Sequence, residues 1–184
     1  SVGTASLTIT SASDYYIGSQ TKTYNIRYNL SNAEVSGYNS SYDYTGQQVG
    51  PTESDIVVKI GDTTLEKGTD YTITFGENTN VKDGGTITIS APESSTRTTG
   101  TKVITFAINP LDISTASATF DQTTYAYTGQ PIQPLPTVTY GGDELERGTD
   151  YTLTYPTDTT SLGTKEVTVK GIGNYTGTTS AYYY

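Results

Sequence analysis

The 184-residue chain contains no cysteine, no histidine, no methionine and no tryptophan. Without cysteine there is no thiol nucleophile, no disulfide and no thiolate metal site. Without histidine, the usual base of a serine nucleophile and the common ligand of zinc, copper and haem are missing too. Metal chemistry would have to be oxygen-based, and no cofactor is expected. Lysine and arginine total 10 against 19 carboxylates, a formal charge of −9. That sign argues against a nucleic-acid backbone or an anionic membrane as partner, because both require clustered Lys and Arg. No apolar run approaches the roughly 20 residues of a spanning helix, so no membrane insertion is expected within this segment. A chain without Cys or Met also offers little to oxidants, which suits an extracellular location.

What remains is Thr, Ser, Gly and 17 tyrosines, residues that favour pleated surfaces and the turns between them. Alternation supports this. In Tyr71-Thr72-Ile73-Thr74-Phe75 the large side chains fall on one face and the threonines on the other, and Tyr151-Thr152-Leu153-Thr154-Tyr155 repeats the pattern. Leu7 and Ile9, Ile87 and Ile89, Val167 and Val169, and the run Ile104, Phe106, Ile108 share the period. Turn signals separate them at Gly61-Asp62, Lys67 to Asp70, Asp83 to Gly85, Gly141 to Asp143 and Gly173-Asn174. No stretch has helical period. The class expected is all-β, with Ile73, Phe75, Ile87, Ile89, Leu153, Tyr155, Val167 and Val169 pointing inward.

The chain also repeats itself. Leu65 to Phe75 returns as Leu145 to Tyr155 at an offset of 80 residues, and Tyr44-Thr45-Gly46-Gln47 returns as Tyr127 to Gln130 at an offset of 83. Further on, Ile104 and Phe106 align with Ala181 and Tyr183. Residues 1–30 match only the second half of a repeat, with Leu7 in the place of Ile87, Tyr24 in that of Ile104 and Asn29 in that of Asn109. The expected organisation is therefore the C-terminal half of a preceding repeat (1–30), one module at 31–110, and a second at 111–184 whose last strand is truncated. Both ends read as cut from a longer array. Repetition of this kind serves extension and display more often than a single catalytic pocket.

The pattern Y-x-Y-T-G-Q (Tyr42–Gln47, Tyr125–Gln130), then G-x-x-x-L-x-x-G-T-D-Y-x-[IL]-x-[FY] (Gly61–Phe75, Gly141–Tyr155), then G-N-Y-T-G-T (Gly173–Thr178) resembles tandem bacterial Ig-like repeats. These occur in exported and cell-wall proteins of Gram-positive gut bacteria. The resemblance implies tandem immunoglobulin-like β-sandwich modules in an elongated array, serving as stalk, spacer or adhesive element at the cell surface. It implies no catalytic residues. The earlier copies depart from the G-N-Y-T-G-T form, carrying Asp14 to Gly18 and the polar stretch Glu93 to Thr99 instead, so module-specific binding would differ there.

Candidate sites follow from the remaining chemistry. Sugars stack on aromatic faces with polar groups beside them, and Tyr15, Tyr16, Tyr38, Tyr42, Tyr44, Tyr125, Tyr127 and Tyr175 are the candidates for such a platform. Of these, Tyr42/Tyr44 and Tyr125/Tyr127 keep their positions within the repeat, which fits a sandwich edge or packing between modules equally. The carboxylate clusters Glu53/Asp55, Glu66/Asp70 and Asp143/Glu144/Glu146/Asp150 lie on repeated turns, which suits solvated rims rather than catalytic pairs. Asp83 and Asp143 are the hard-oxygen candidates for calcium, although no EF-hand pattern surrounds them. Lys22 and Lys102, each preceding an apolar strand that Asn29 or Asn109 follows, are the candidates for a spontaneous Lys–Asn bond. The expected function is that of a non-enzymatic stalk, spacer or assembly element whose partners are neighbouring repeats or other subunits. The first alternative is a glycan-binding or host-adhesion module, and a third reading is an accessory region of a secreted polysaccharide-degrading enzyme.

Overall fold

A computed structural model of the chain describes residues 2–184. The fold is nearly all-β, with several small sheets, one 3-10 turn at Leu30–Asn32 and no α-helix among the described residues. Among the described residues no helix is long and apolar enough to cross a membrane. The chain forms two compact units, one made of the residues up to Ser40 with Gly50–Asn78 and Gly85–Phe106, the other of Ser41–Val49, Thr79–Gly84 and Ala107–Tyr184.

In the first unit, Glu34–Ser36, Val57–Ile60 and Thr63–Thr64 form a three-stranded antiparallel sheet. Thr72–Phe75 pairs with Gly85–Ser90, which in turn pairs with the strand Thr101–Asn109. Alternation decides which side chains go inside. Ile87 and Ile89 are fully buried, as are Leu30 and Val58, and Ile73, Ile104 and Phe106 are buried beside them. Each such side chain removed from water contributes roughly 1.5–3 kcal/mol. Phe75 is half-buried.

The second unit repeats the plan. Ser117–Thr119, Thr137–Tyr140 and Asp143–Glu144 form one antiparallel sheet, and Tyr151–Thr154, Lys165–Gly171 and Thr178–Tyr183 another. Side chains of both meet in one core, where Ile113, Ala116, Val138, Leu145, Tyr151 and Val169 are buried together. This is the layering of a β-sandwich. Phe120, Val167, Ala181 and Tyr183 continue the core, and Leu153 and Tyr155 are half-buried against it.

Pairing registers carry the repeat into three dimensions. Ile73 faces Ile89 and Ile87 faces Ile104; Leu153 faces Val169 and Val167 faces Ala181. The start of each repeat is equally matched. Tyr28–Asn29 runs parallel to Thr98–Thr99, and Leu111–Asp112 runs parallel to Tyr175–Thr176. The amide of Tyr28 donates to the Arg97 carbonyl, and that of Leu111 to the Asn174 carbonyl. Asn29 Oδ1 accepts from the Ser31 amide, and Asp112 Oδ1 from the Ser114 amide. Hydrogen bonding therefore equates Asn29 with Asp112, whereas sequence alignment alone sets it against Asn109. The side chain's task is to cap the turn that opens the repeat. The polar stretch Glu93 to Thr99 is likewise part of the framework: Thr98 is fully buried, and its hydroxyl donates to the Asp70 carbonyl at 2.5 Å.

Glycine is required where the chain leaves the short parallel bridge. Gly177 has φ +81°, and a Cβ there would lie 2.0 Å from Asp112 Oδ1. Gly100, at the same place in the first repeat, has φ +80° and faces Asn29 Oδ1 in the same way. Only glycine adopts this backbone without cost while leaving room for the capping side chain.

Residues 3–26 form a two-stranded hairpin, Gly3–Thr10 against Ser19–Ile26, with Leu7 opposite Lys22 and Ala5 opposite Tyr24. In the whole repeats the corresponding register sets Ile87 opposite Ile104, which would set Leu7 opposite Tyr24. The hairpin is thus shifted by two residues. A shift of two keeps every side chain on its own face, so Leu7, Ile9, Tyr24 and Ile26 still share one.

Candidate functional site

The tyrosines singled out by the sequence separate into distinct settings. Tyr15 and Tyr16 sit in the turn of the N-terminal hairpin, 94% and 76% exposed. Tyr42, half-buried, lies on Ser41–Asp43 opposite Ile108 in a parallel pairing. Tyr38 is half-buried. Tyr125 packs edge-on against the buried Tyr183, with ring centroids 5.9 Å apart, while Tyr127 projects into solvent. The cleft beside Tyr125 and Tyr127 holds about 20 Å³, against roughly 300–1,000 Å³ for ordinary small-molecule pockets. A hollow of about 480 Å³ lined by Gly3, Asn25, Tyr28, Thr96 and Arg97 contains none of these candidates.

The second unit brings two of them together. Tyr44 and Tyr175 meet edge-on, with centroids 5.5 Å apart and planes at 77°, the geometry favoured by the opposed charges of ring face and ring edge. Burial pushes the Tyr175 hydroxyl up to about 12, helped by Tyr44 and by the carboxylates of Asp150 and Asp143. Next to it, Asn174 acts as a double clamp. Its Oδ1 accepts from the Val81 amide at 2.9 Å, and its Nδ2 donates to Asn80 Oδ1 at 3.0 Å. Asn109 Nδ2 donates to Asp43 Oδ1 at 3.0 Å, and the Tyr44 amide donates to the Asn109 carbonyl at 2.9 Å. The segments 41–49 and 79–84, which the repeat assigns to the first module, are thereby held to residues 107–184 within this one compact unit.

This explains the Gly-Asn-Tyr-Thr motif locally. The turn at Gly173-Asn174 carries a side chain with both a donor and an acceptor, and the next residue supplies a large ring. In the first repeat the equivalent positions hold Arg97 and Thr98. There the guanidinium lies 3.4 Å from the fully buried Asp70 carboxylate. Sequence reading named Tyr44 and Tyr175 but missed Asn80, Val81 and Asn174. Asn174 stands out only as part of the motif, and nothing in the sequence of Asn80 marks it.

The carboxylate clusters are engaged locally. Asp55 accepts from the amide and hydroxyl of Thr52, and these bonds hold its carboxyl below the usual range. Asp70 and Asp150 accept from the amides of Glu66 and Glu146 at 3.0 and 2.8 Å. Asp158 is held well below the usual range by the hydroxyl and amide of Ser161, the Thr160 amide and Lys165. Asp83 pairs with Lys82 at 2.7 Å. Among the described residues no group of three or more potential metal ligands is assembled. Lys102 Nζ donates to the Ser31 carbonyl, while Asn29 caps a turn and Asn109 binds Asp43.

No protein-family model matches the chain, and no curated protein or solved structure does.

Proposed function

We propose that the chain is a non-enzymatic array of immunoglobulin-like modules serving as a spacer or assembly element of a bacterial cell-surface protein. The observation that carries this reading is the joint made by Asn174 and Tyr175. One of the three motifs that carry the resemblance to bacterial Ig-like repeats is occupied in binding Tyr44, Asn80 and Val81, segments of the preceding repeat. A residue pair used to hold successive repeats together serves the array rather than an external ligand. Carboxylates capped by their own turns support the same conclusion.

The second reading, glycan binding or host adhesion, draws on Tyr15 and Tyr16, adjacent and highly exposed at the hairpin tip. Affinity-gel retardation and a glycan array distinguish the two. The spacer reading expects no saturable retention. Retention abolished by Tyr15→Ala with Tyr16→Ala would establish the adhesive one.

A further inference from the structure

The N-terminal hairpin leaves an apolar face uncovered. Leu7, Ile9, Tyr24 and Ile26 lie on one side of it and are 58%, 67%, 56% and 43% exposed, with Lys22 opposite Leu7 and Gln20 opposite Ile9 on the same side. The other side carries Thr4, Ser6, Thr8, Thr10, Thr21, Thr23 and Asn25, with Thr8 and Thr21 hydrogen-bonded across it. Side chains of this alternation are those of a half-buried strand pair, and an isolated hairpin is marginal in water. Among the described residues neither outer edge of the hairpin has a neighbouring strand, which makes both edges templates for pairing.

The chain itself contains two precedents for what covers such a pair. In the first repeat, Gly85–Ser90 takes Thr72–Phe75 on its outer edge, Ile73 opposite Ile89 and Phe75 opposite Ile87. In the second, Lys165–Gly171 takes Tyr151–Thr154, with Leu153 opposite Val169. In both, a preceding strand, Val57–Ile60 or Thr137–Tyr140, supplies a fully buried valine, Val58 or Val138, to the core. Leu7 and Ile9 hold the places of Ile87 and Ile89 in the repeat.

We propose that the outer edge of Gly3–Thr10 and the apolar face of the hairpin are a docking site for a first-half segment of this repeat type. Such a segment has a Val-[Lys/Thr]-[Ile/Tyr] strand, as in Val58 to Ile60 and Val138 to Tyr140, then a Gly-Thr-Asp-Tyr turn and an [Ile/Leu]-x-[Phe/Tyr] strand. The last strand adds antiparallel to Gly3–Thr10, its Ile or Leu beside Ile9 and its Phe or Tyr beside Leu7. Main-chain hydrogen bonds give the attachment its strength and the alternate side chains its register. The hairpin's only charged side chains are Asp14 and Lys22, so its face presents no charge barrier to an acidic repeat. This inference rests on the array reading and deepens it, by naming the chemistry of the partner.

The test uses the 184-residue chain and a synthetic peptide of its own residues 52–78, which carries both strands. Binding is followed by fluorescence anisotropy and by amide chemical-shift changes. Saturable binding with shifts in Gly3–Thr10, weakened at least tenfold by Leu7→Asp with Ile9→Asp and unaffected by Tyr15→Ala, is expected. Circular dichroism of the Asp variant should report an unchanged fold, since neither residue is part of a buried core. Absence of saturable binding overturns the proposal, and so does binding that survives the double substitution, which would mark exchange with the internal copy. Self-association in sedimentation that the same substitutions abolish also overturns it, because the occupant would then be a second hairpin. None of these outcomes bears on glycan retention, so the array reading stands or falls separately.

Discussion

Tyr175 meets Tyr44 edge-on at 5.5 Å, and its hydroxyl is pushed from an ordinary 10.0 up to about 12, chiefly by burial. A raised folded-state value means that the neutral ring stabilises the fold. Between pH 10.0 and about 12 the unfolded chain has released a proton that the folded chain still holds, so stability present below that window is lost as pH rises through it. Burial raises Tyr71, Tyr151, Tyr155 and Tyr183 as well, which deepens the loss. Thermal midpoints measured across this range should fall for the native chain and fall less for Tyr175→Phe, which has no proton to lose. Equal slopes would remove Tyr175 from the account.

The paired isoleucines of the first unit set its core. Ile89 is fully buried opposite Ile73, and Ile89→Ala should cost about 2–5 kcal/mol, the transfer free energy of the deleted carbons plus the cavity left behind. Denaturant unfolding with an unchanged slope is the measurement. A loss below about 0.5 kcal/mol would place this side chain outside the core.

Gly177 is held by a steric constraint. Its φ of +81° and the 2.0 Å approach of a Cβ to Asp112 Oδ1 combine backbone strain with displacement of the cap on Ser114. Gly177→Ala should therefore destabilise by about 1–3 kcal/mol. Asp112→Ala, which loses the cap but clears the space, should make a following Gly177→Ala cheaper. Additive losses would mean that the two do not meet.

Much of the fold was legible because β-structure writes a period of two into the sequence, and buried positions such as Ile87, Ile89, Val167 and Val169 follow it without exception. The change of offset between Ile104 and Ala181 was also visible, since Phe106 and Tyr183 preserve the spacing. What could not be read was which polar residues serve the framework. Thr98 and Arg97 look like loop residues until the parallel bridge to Tyr28–Asn29 buries one and aims the other at Asp70. Asn29 matches Asn109 in the alignment but performs the task of Asp112, because either oxygen can cap a turn. The joint at Tyr44 was half legible. Tyr44 repeats as Tyr127, but Tyr175 has Thr98 in its place in the first repeat, and the partners of Asn174 are a backbone amide and another asparagine, contacts that depend on how distant segments meet and leave no periodic trace.

The most direct test of the account is a double-mutant cycle on Tyr44→Ala and Tyr175→Ala, read by equilibrium unfolding. If the Gly-Asn-Tyr-Thr turn holds successive repeats together, the two losses are coupled by about 0.5–1.5 kcal/mol, as for aromatic pairs in contact. Strictly additive losses would contradict the joint and, with it, the reading of the chain as an array built on that joint.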